Sequence, residues 1–151
     1  MSQESAESVA GYAQIDHTAD VGVSAWGPTP ASAFAEAALG MFAIMLDADP
    51  TTWQGAGEPA EHRVRVSGSG WPLLLVNWLS ELLFLFEVER FVPRTIRLTE
   101  CAPPHCAATL IGTRLASMDE AAGTSVKAVT YHRLAVDVSP EGAEIRVILD
   151  I

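Results

Sequence analysis

Apolar residues follow two different periods along this chain, three to four residues in two stretches of the first half and two in the remaining runs, which dominate the second half. Phe34, Ala37, Ala38, Met41, Phe42 and Met45 recur at helical spacing behind Thr29-Pro30. Thr29 reads as the N-cap and Pro30 as the first helical residue, so a helix is predicted from there to about Asp47 to Pro50. A second helix is predicted from Trp71 to about Val88, with apolar residues around most of its circumference and Asn77, Ser80, Glu81 and Glu87 as a narrow polar edge. Such a helix belongs inside a core. Pro72 and those polar residues interrupt the run, so it is read as a buried helix rather than a membrane span.

Period two marks the strands. Residues 12–15 and 21–26 alternate small and apolar positions, and Gly27-Pro28 stops the second run. After a turn-rich connector over residues 51–60, His62, Val64 and Val66 alternate with Arg63 and Arg65. Further pairs and triplets follow at Ile96 and Leu98, Ala108 and Leu110, Leu134, Val136 and Val138, and Ile145, Val147 and Leu149. Ser139-Pro140-Glu141-Gly142 has turn composition and predicts an antiparallel hairpin between the last two runs. Residues 126–132 also read as a strand, with Lys127, Val129 and Tyr131 on one face and Thr130 and His132 on the other. The expected fold is therefore α+β, two helices packed on a mainly antiparallel sheet. One domain spans residues 11–151 behind a flexible tail of residues 1–10.

Composition narrows the function classes. The 151 residues carry nine Lys and Arg against 19 Asp and Glu, a net charge of −10, so a bare polyphosphate is repelled at long range and direct nucleic-acid binding is not expected. The first ten residues contain no apolar h-region and no basic residue, which gives a cytoplasmic location as the default and no membrane partner. Cys101 and Cys106 bracket Pro103, Pro104 and His105; in a reducing compartment such thiols are expected to be packed rather than bridged, and Cys-His-Cys falls short of a zinc site.

Chemistry-bearing residues concentrate in two places. Asp16-His17-Thr18-Ala19-Asp20 puts two carboxylates, an imidazole and a hydroxyl between two predicted strands. A local turn capped by Asp16 and Thr18 accounts for part of this without any function, though less readily for Asp20. Asp150-Ile151 offers a side-chain carboxylate and a main-chain carboxylate at the end of a predicted strand, both hard oxygen ligands, or simply a solvated terminus. Lys127 reads either as a solvated edge residue or as a counter-charge to the acids. Ser67-Gly68-Ser69-Gly70 sits between strand and helix where phosphates bind in other folds, but it lacks the third glycine and the lysine, so a plain turn is expected.

Several segments in order, Asp16-His17-Thr18-Ala19-Asp20-Val21-Gly22, Ala33 to Ala38, Asn77 to Leu83, Val126 to His132 and Asp150-Ile151, resemble the archease family over about residues 11–151. The resemblance implies an accessory protein of the RtcB-type RNA ligase, promoting its GTP-dependent guanylylation and multiple turnover in tRNA splicing and RNA repair. It further implies a divalent cation, calcium or otherwise magnesium or manganese, held by Asp20, Asp150 and the carboxylate of Ile151. Lys127 is implied in activation, and His17 is expected to orient Asp20. Three positions depart from the family pattern: Gly70 where an Asp often precedes the central helix, Gly112-Thr113 where Gly-Glu is usual, and Asp119-Glu120 near a loop that commonly carries a His. The alternative is a stand-alone metal-dependent phosphoesterase or nuclease using the same carboxylates. A third reading is a structural partner protein whose cation only anchors the end of the chain.

Overall fold

The computed structural model describes residues 9–16 and 20–151, so the expected tail lies almost wholly outside the described residues, as do His17, Thr18 and Ala19. Strands β1 (Gly11–Asp16) and β2 (Val21–Gly27) lead into helix α1 (Pro30–Leu46). Then come β3 (Gly57–Ser67), α2 (Trp71–Glu89), β4 (Phe91–Ala102) and β5 (His105–Leu115). A 3-10 turn (Met118–Glu120) precedes β6 (Ala128–Val129), β7 (Ala135–Ser139) and β8 (Gly142–Asp150).

The expected α+β class holds, with one sheet resolved into two. The five-stranded sheet runs β1-β2-β8-β6, with β7 also pairing β8, and the three-stranded sheet runs β3-β5-β4. Every strand pair is antiparallel. Both helices contact both sheets, so the core lies between the layers. Its largest fully buried side chains include Trp78, Phe34, Phe42, Phe91 and Leu149, and no polar or charged side chain is buried among the described residues.

Local chemistry sets the helix limits. Thr29 and Ser32 form a reciprocal cap: the Ser32 N–H donates to Thr29 Oγ1 (3.1 Å) and the Thr29 N–H donates to Ser32 Oγ (3.0 Å). Asp47 ends α1 in the left-handed conformation, φ 55°. Helix α2 is long and apolar enough to cross a membrane by length and composition, yet half of its most apolar stretch is buried in the fold. Its outer edge is less polar than its pattern predicts, since Leu73, Phe84 and Val88 lie exposed there beside Ser80 and Glu87.

Gly70 caps α2 with no side-chain hydrogen bond, in an extended backbone conformation (φ −147°) with open space where a Cβ would stand. Gly70→Asp is therefore expected to stabilise the fold by roughly 0.5–1 kcal/mol, through a cap and the helix dipole. A melting curve checks this, and an unchanged or lowered midpoint contradicts it. The neighbouring Gly68 has a packing role: a Cβ there would come within 2.7 Å of Leu74 Cα, and its N–H donates to the Pro104 carbonyl (2.9 Å). The Ser-Gly-Ser-Gly turn is thus used to bring β3 against α2.

Candidate functional site

Asp20, Lys127, Asp150 and Ile151, all singled out from the sequence, meet at the C-terminal end of β8. That strand is flanked by β2 on one side and by β6 and β7 on the other. Val21 pairs with Leu149, so one further step along the same register sets Asp20 across from Asp150. Leu149 is fully buried, and alternation then turns Asp150 outward, where it is exposed. Asp20 is half-buried.

On the other flank Ala128 pairs with Asp150, and the Lys127 N–H donates to the Asp150 carbonyl (2.7 Å). The backbone of Lys127 is thereby fixed next to Asp150 and Ile151, with its side chain exposed. Two anchors hold it. Val126 is buried in the core. The Gly123 and Thr124 N–H groups donate to the Met45 and Ile44 carbonyls (each 3.0 Å), which lie in the last turn of α1 and lack helical partners. A Cβ on Gly123 would meet the Ile44 carbonyl oxygen at 2.1 Å, so only glycine allows this approach.

The strand expected over residues 126–132 is reduced to Ala128–Val129. Thr130 ends it, donating its hydroxyl to the Ile148 carbonyl (2.9 Å) while accepting from the His132 N–H (3.2 Å). Arg133, at φ 55°, then turns the chain toward β7. Val126 and Val129 both face the core, so the expected two-face alternation of Lys127, Val129 and Tyr131 does not extend along the segment.

Asp20, Asp150 and Lys127 take part in no ion pair among the described residues, where the ion pairs are Arg63–Glu61 (3.9 Å) and Arg65–Glu100 (3.1 Å). Nor is there a group of three or more His, Cys, Asp or Glu side chains placed to hold a metal among the described residues. The strand end contributes two such side chains, and its third acidic group is the main-chain carboxylate of Ile151. A groove of about 660 Å³ lies toward the opposite end of β2 and β8, lined by Ser24, Trp26, Asp137, Ser139 and Glu144 among others.

A second acidic neighbourhood is made of Tyr12 of β1, Glu36 of α1 and Asp49, which lies just beyond the end of α1. Burial first, and then the charge of Asp49, raises the Glu36 carboxyl above its usual range; burial, Asp49 and Glu36 raise the Tyr12 phenol. Nothing in the local sequence around these three residues announces their meeting.

Comparison with known proteins decides the family. Residues 12–151 match the Archease protein family (MTH1598/TM1083). The chain belongs to the archease family. Protein archease of Methanosarcina barkeri is 33% identical over 144 residues, covering 93% of this chain and 95% of that protein. Protein archease of Danio rerio is 32% identical, over 93% of this chain and 85% of its own length. The solution structure of Methanobacterium thermoautotrophicum protein 1598 superposes with a TM-score of 0.73 at 30% identity, over 93% of this chain and 99% of that one. The crystal structure of a Thermotoga maritima archease, described as a possible chaperone, shares the fold at a TM-score of 0.57 and 18% identity, over 91% and 94% of the two chains. The archease fold accordingly has two helices and two antiparallel sheets in this chain.

Proposed function

We propose that this archease-family chain is an accessory protein, not itself an enzyme, that activates an RtcB-type RNA ligase by promoting its GTP-dependent guanylylation and multiple turnover in tRNA splicing and RNA repair. The observation that carries the reading is the register of β8, which puts Asp20, Asp150 and the backbone of Lys127 at one exposed strand end. The Thermotoga maritima relative is described as a possible chaperone, which supports action on a protein partner. The charge of −10 supports action on the ligase rather than on RNA.

The donor set fits a hard divalent cation. Asp20, Asp150 and the Ile151 carboxylate are three anionic oxygen donors, and the described ion pairs leave both aspartates uncompensated. Calcium is the favoured ion by resemblance, with magnesium and manganese as alternatives of the same ligand preference. When bound, the cation supplies charge neutralisation at the strand end. Asp20 and Asp150 present the acidic surface, and Lys127 offers a cation to phosphate or to an acidic patch of the ligase. A cytoplasmic location is part of this proposal.

The test is to add the purified protein to an RtcB-type ligase with GTP and manganese and to follow ligase guanylylation and repeated sealing. Stimulation of both is expected. No stimulation, together with release of phosphate or cleaved RNA by the protein alone, would instead establish the stand-alone phosphoesterase or nuclease.

A further inference from the structure

Cys101 and Cys106 are directly opposed across the β4–β5 hairpin. Opposed residues of an antiparallel pair point to the same side with Cα atoms about 4.5–5.5 Å apart, within the roughly 4.4–6.8 Å that a disulfide spans. The side is the inner one, since both cysteines pack on the hydrophobic core. Their access differs: Cys106 is fully buried, whereas Cys101 is partly exposed.

We propose that Cys101 and Cys106 form an oxidation site that reacts with hydrogen peroxide and closes to a reversible intramolecular disulfide. The exposed Cys101 reacts first. Its sulfur attacks one peroxide oxygen, the O–O bond breaks, and the departing oxygen leaves as water with the thiol proton, giving Cys101 sulfenic acid. The Cys106 sulfur then attacks the Cys101 sulfur, the S–O bond breaks, and the hydroxyl leaves as a second water with the Cys106 proton. The two sulfurs lose two electrons in total and the peroxide gains them.

The order of events follows from the surroundings of Cys106. A hydrogen bond with Cys101, burial, and the negative charge of Cys101 and Glu100 push its thiol far above the usual range. Fully buried, it is shielded from solvent oxidants and keeps its proton while Cys101 is reduced; oxidation of Cys101 removes the neighbouring charge, so the Cys106 proton is released more readily as its sulfur attacks the electrophile beside it. The chain between the two cysteines is the hairpin turn itself, so closure joins residues that the sheet already holds opposite each other.

The experiment treats the full-length protein with hydrogen peroxide, alkylates free thiols under denaturing conditions, and weighs the intact chain without reductant. The expected product is a monomer lighter by two hydrogen atoms that takes no alkyl group, and that takes two after dithiothreitol. Peptide mapping should then join Cys101 to Cys106. In Cys106→Ser, Cys101 should stop at a sulfenic acid that a dimedone probe captures. In Cys101→Ser, the buried Cys106 should remain reduced, which keeps the proposal testable if the first variant fails to fold. Two alkylatable thiols after treatment, a disulfide between two chains, or Cys101 oxidised to sulfinic acid beside a free Cys106 would each overturn it.

Discussion

Asp20→Asn and Asp150→Asn are each expected to weaken divalent-cation binding by about 10–100-fold, a range set by losses seen even for groups that only support metal ligands. Each substitution keeps side-chain size and removes one of the three proposed anionic donors, so the lost affinity reports charge and ligation rather than packing. Asp150 is exposed and Asp20 half-buried, and the neighbouring Val21 and Leu149 keep their core contacts. The folded state should therefore survive. Calorimetric titration with calcium and with manganese gives the affinities, and circular dichroism the fold. Unchanged cation affinity in both variants would remove these aspartates from the site.

Trp78→Ala is expected to destabilise the protein by about 3–5 kcal/mol, a large share of the roughly 5–15 kcal/mol by which domains of this kind are stable. Trp78 is fully buried between the layers, and its indole Nε1–H donates to the Phe34 carbonyl (3.0 Å), tying α2 to α1. For a domain of this length the loss corresponds to a fall in Tm on the order of 10 °C. Trp78→Phe keeps most of the ring but loses the hydrogen bond, so a smaller loss of about 1 kcal/mol is expected. Equal melting points for the alanine variant and the parent would contradict this view of the core.

Much of the fold was legible because its signals are local. The Thr29-Pro30 start and the spacing from Phe34 to Met45 specify α1 without reference to any other segment. The β7–β8 hairpin follows from Ser139 to Gly142 in the same way. The division into two sheets was not legible, since the pairing of β2 with β8 joins opposite ends of the chain and no local pattern encodes it. Strand β3 begins at Gly57, inside the expected connector, because an edge strand tolerates Pro59, whose missing N–H need not face a partner. Strands β4 and β5 are longer than their clean alternation suggested; register shifts at Pro93/Thr95 and Leu98/Glu100 break the period of two.

The proposed strand-end site shows in the sequence as two separate densities of polar groups, and only family resemblance joins them. The register of β2 and β8 supports that proposal. Asp20 stands one step before β2 and Asp150 is the last residue of β8, so pairing of those two strands brings the two residues to one strand end. The place of Lys127 depends on contacts that no motif displays, the capture of Gly123 and Thr124 by the end of α1 and the hydrogen bond from Lys127 to Asp150. His17 lies outside the described residues.

We propose that this strand end acts on the ligase. It is tested most directly by the rate of guanylylation of an RtcB-type ligase in the presence of the parent protein and of an Asp20→Asn, Asp150→Asn double variant, each confirmed as folded. Stimulation by the parent is expected, with a rate for the double variant equal to that of the ligase alone. Equal stimulation by both proteins would contradict it.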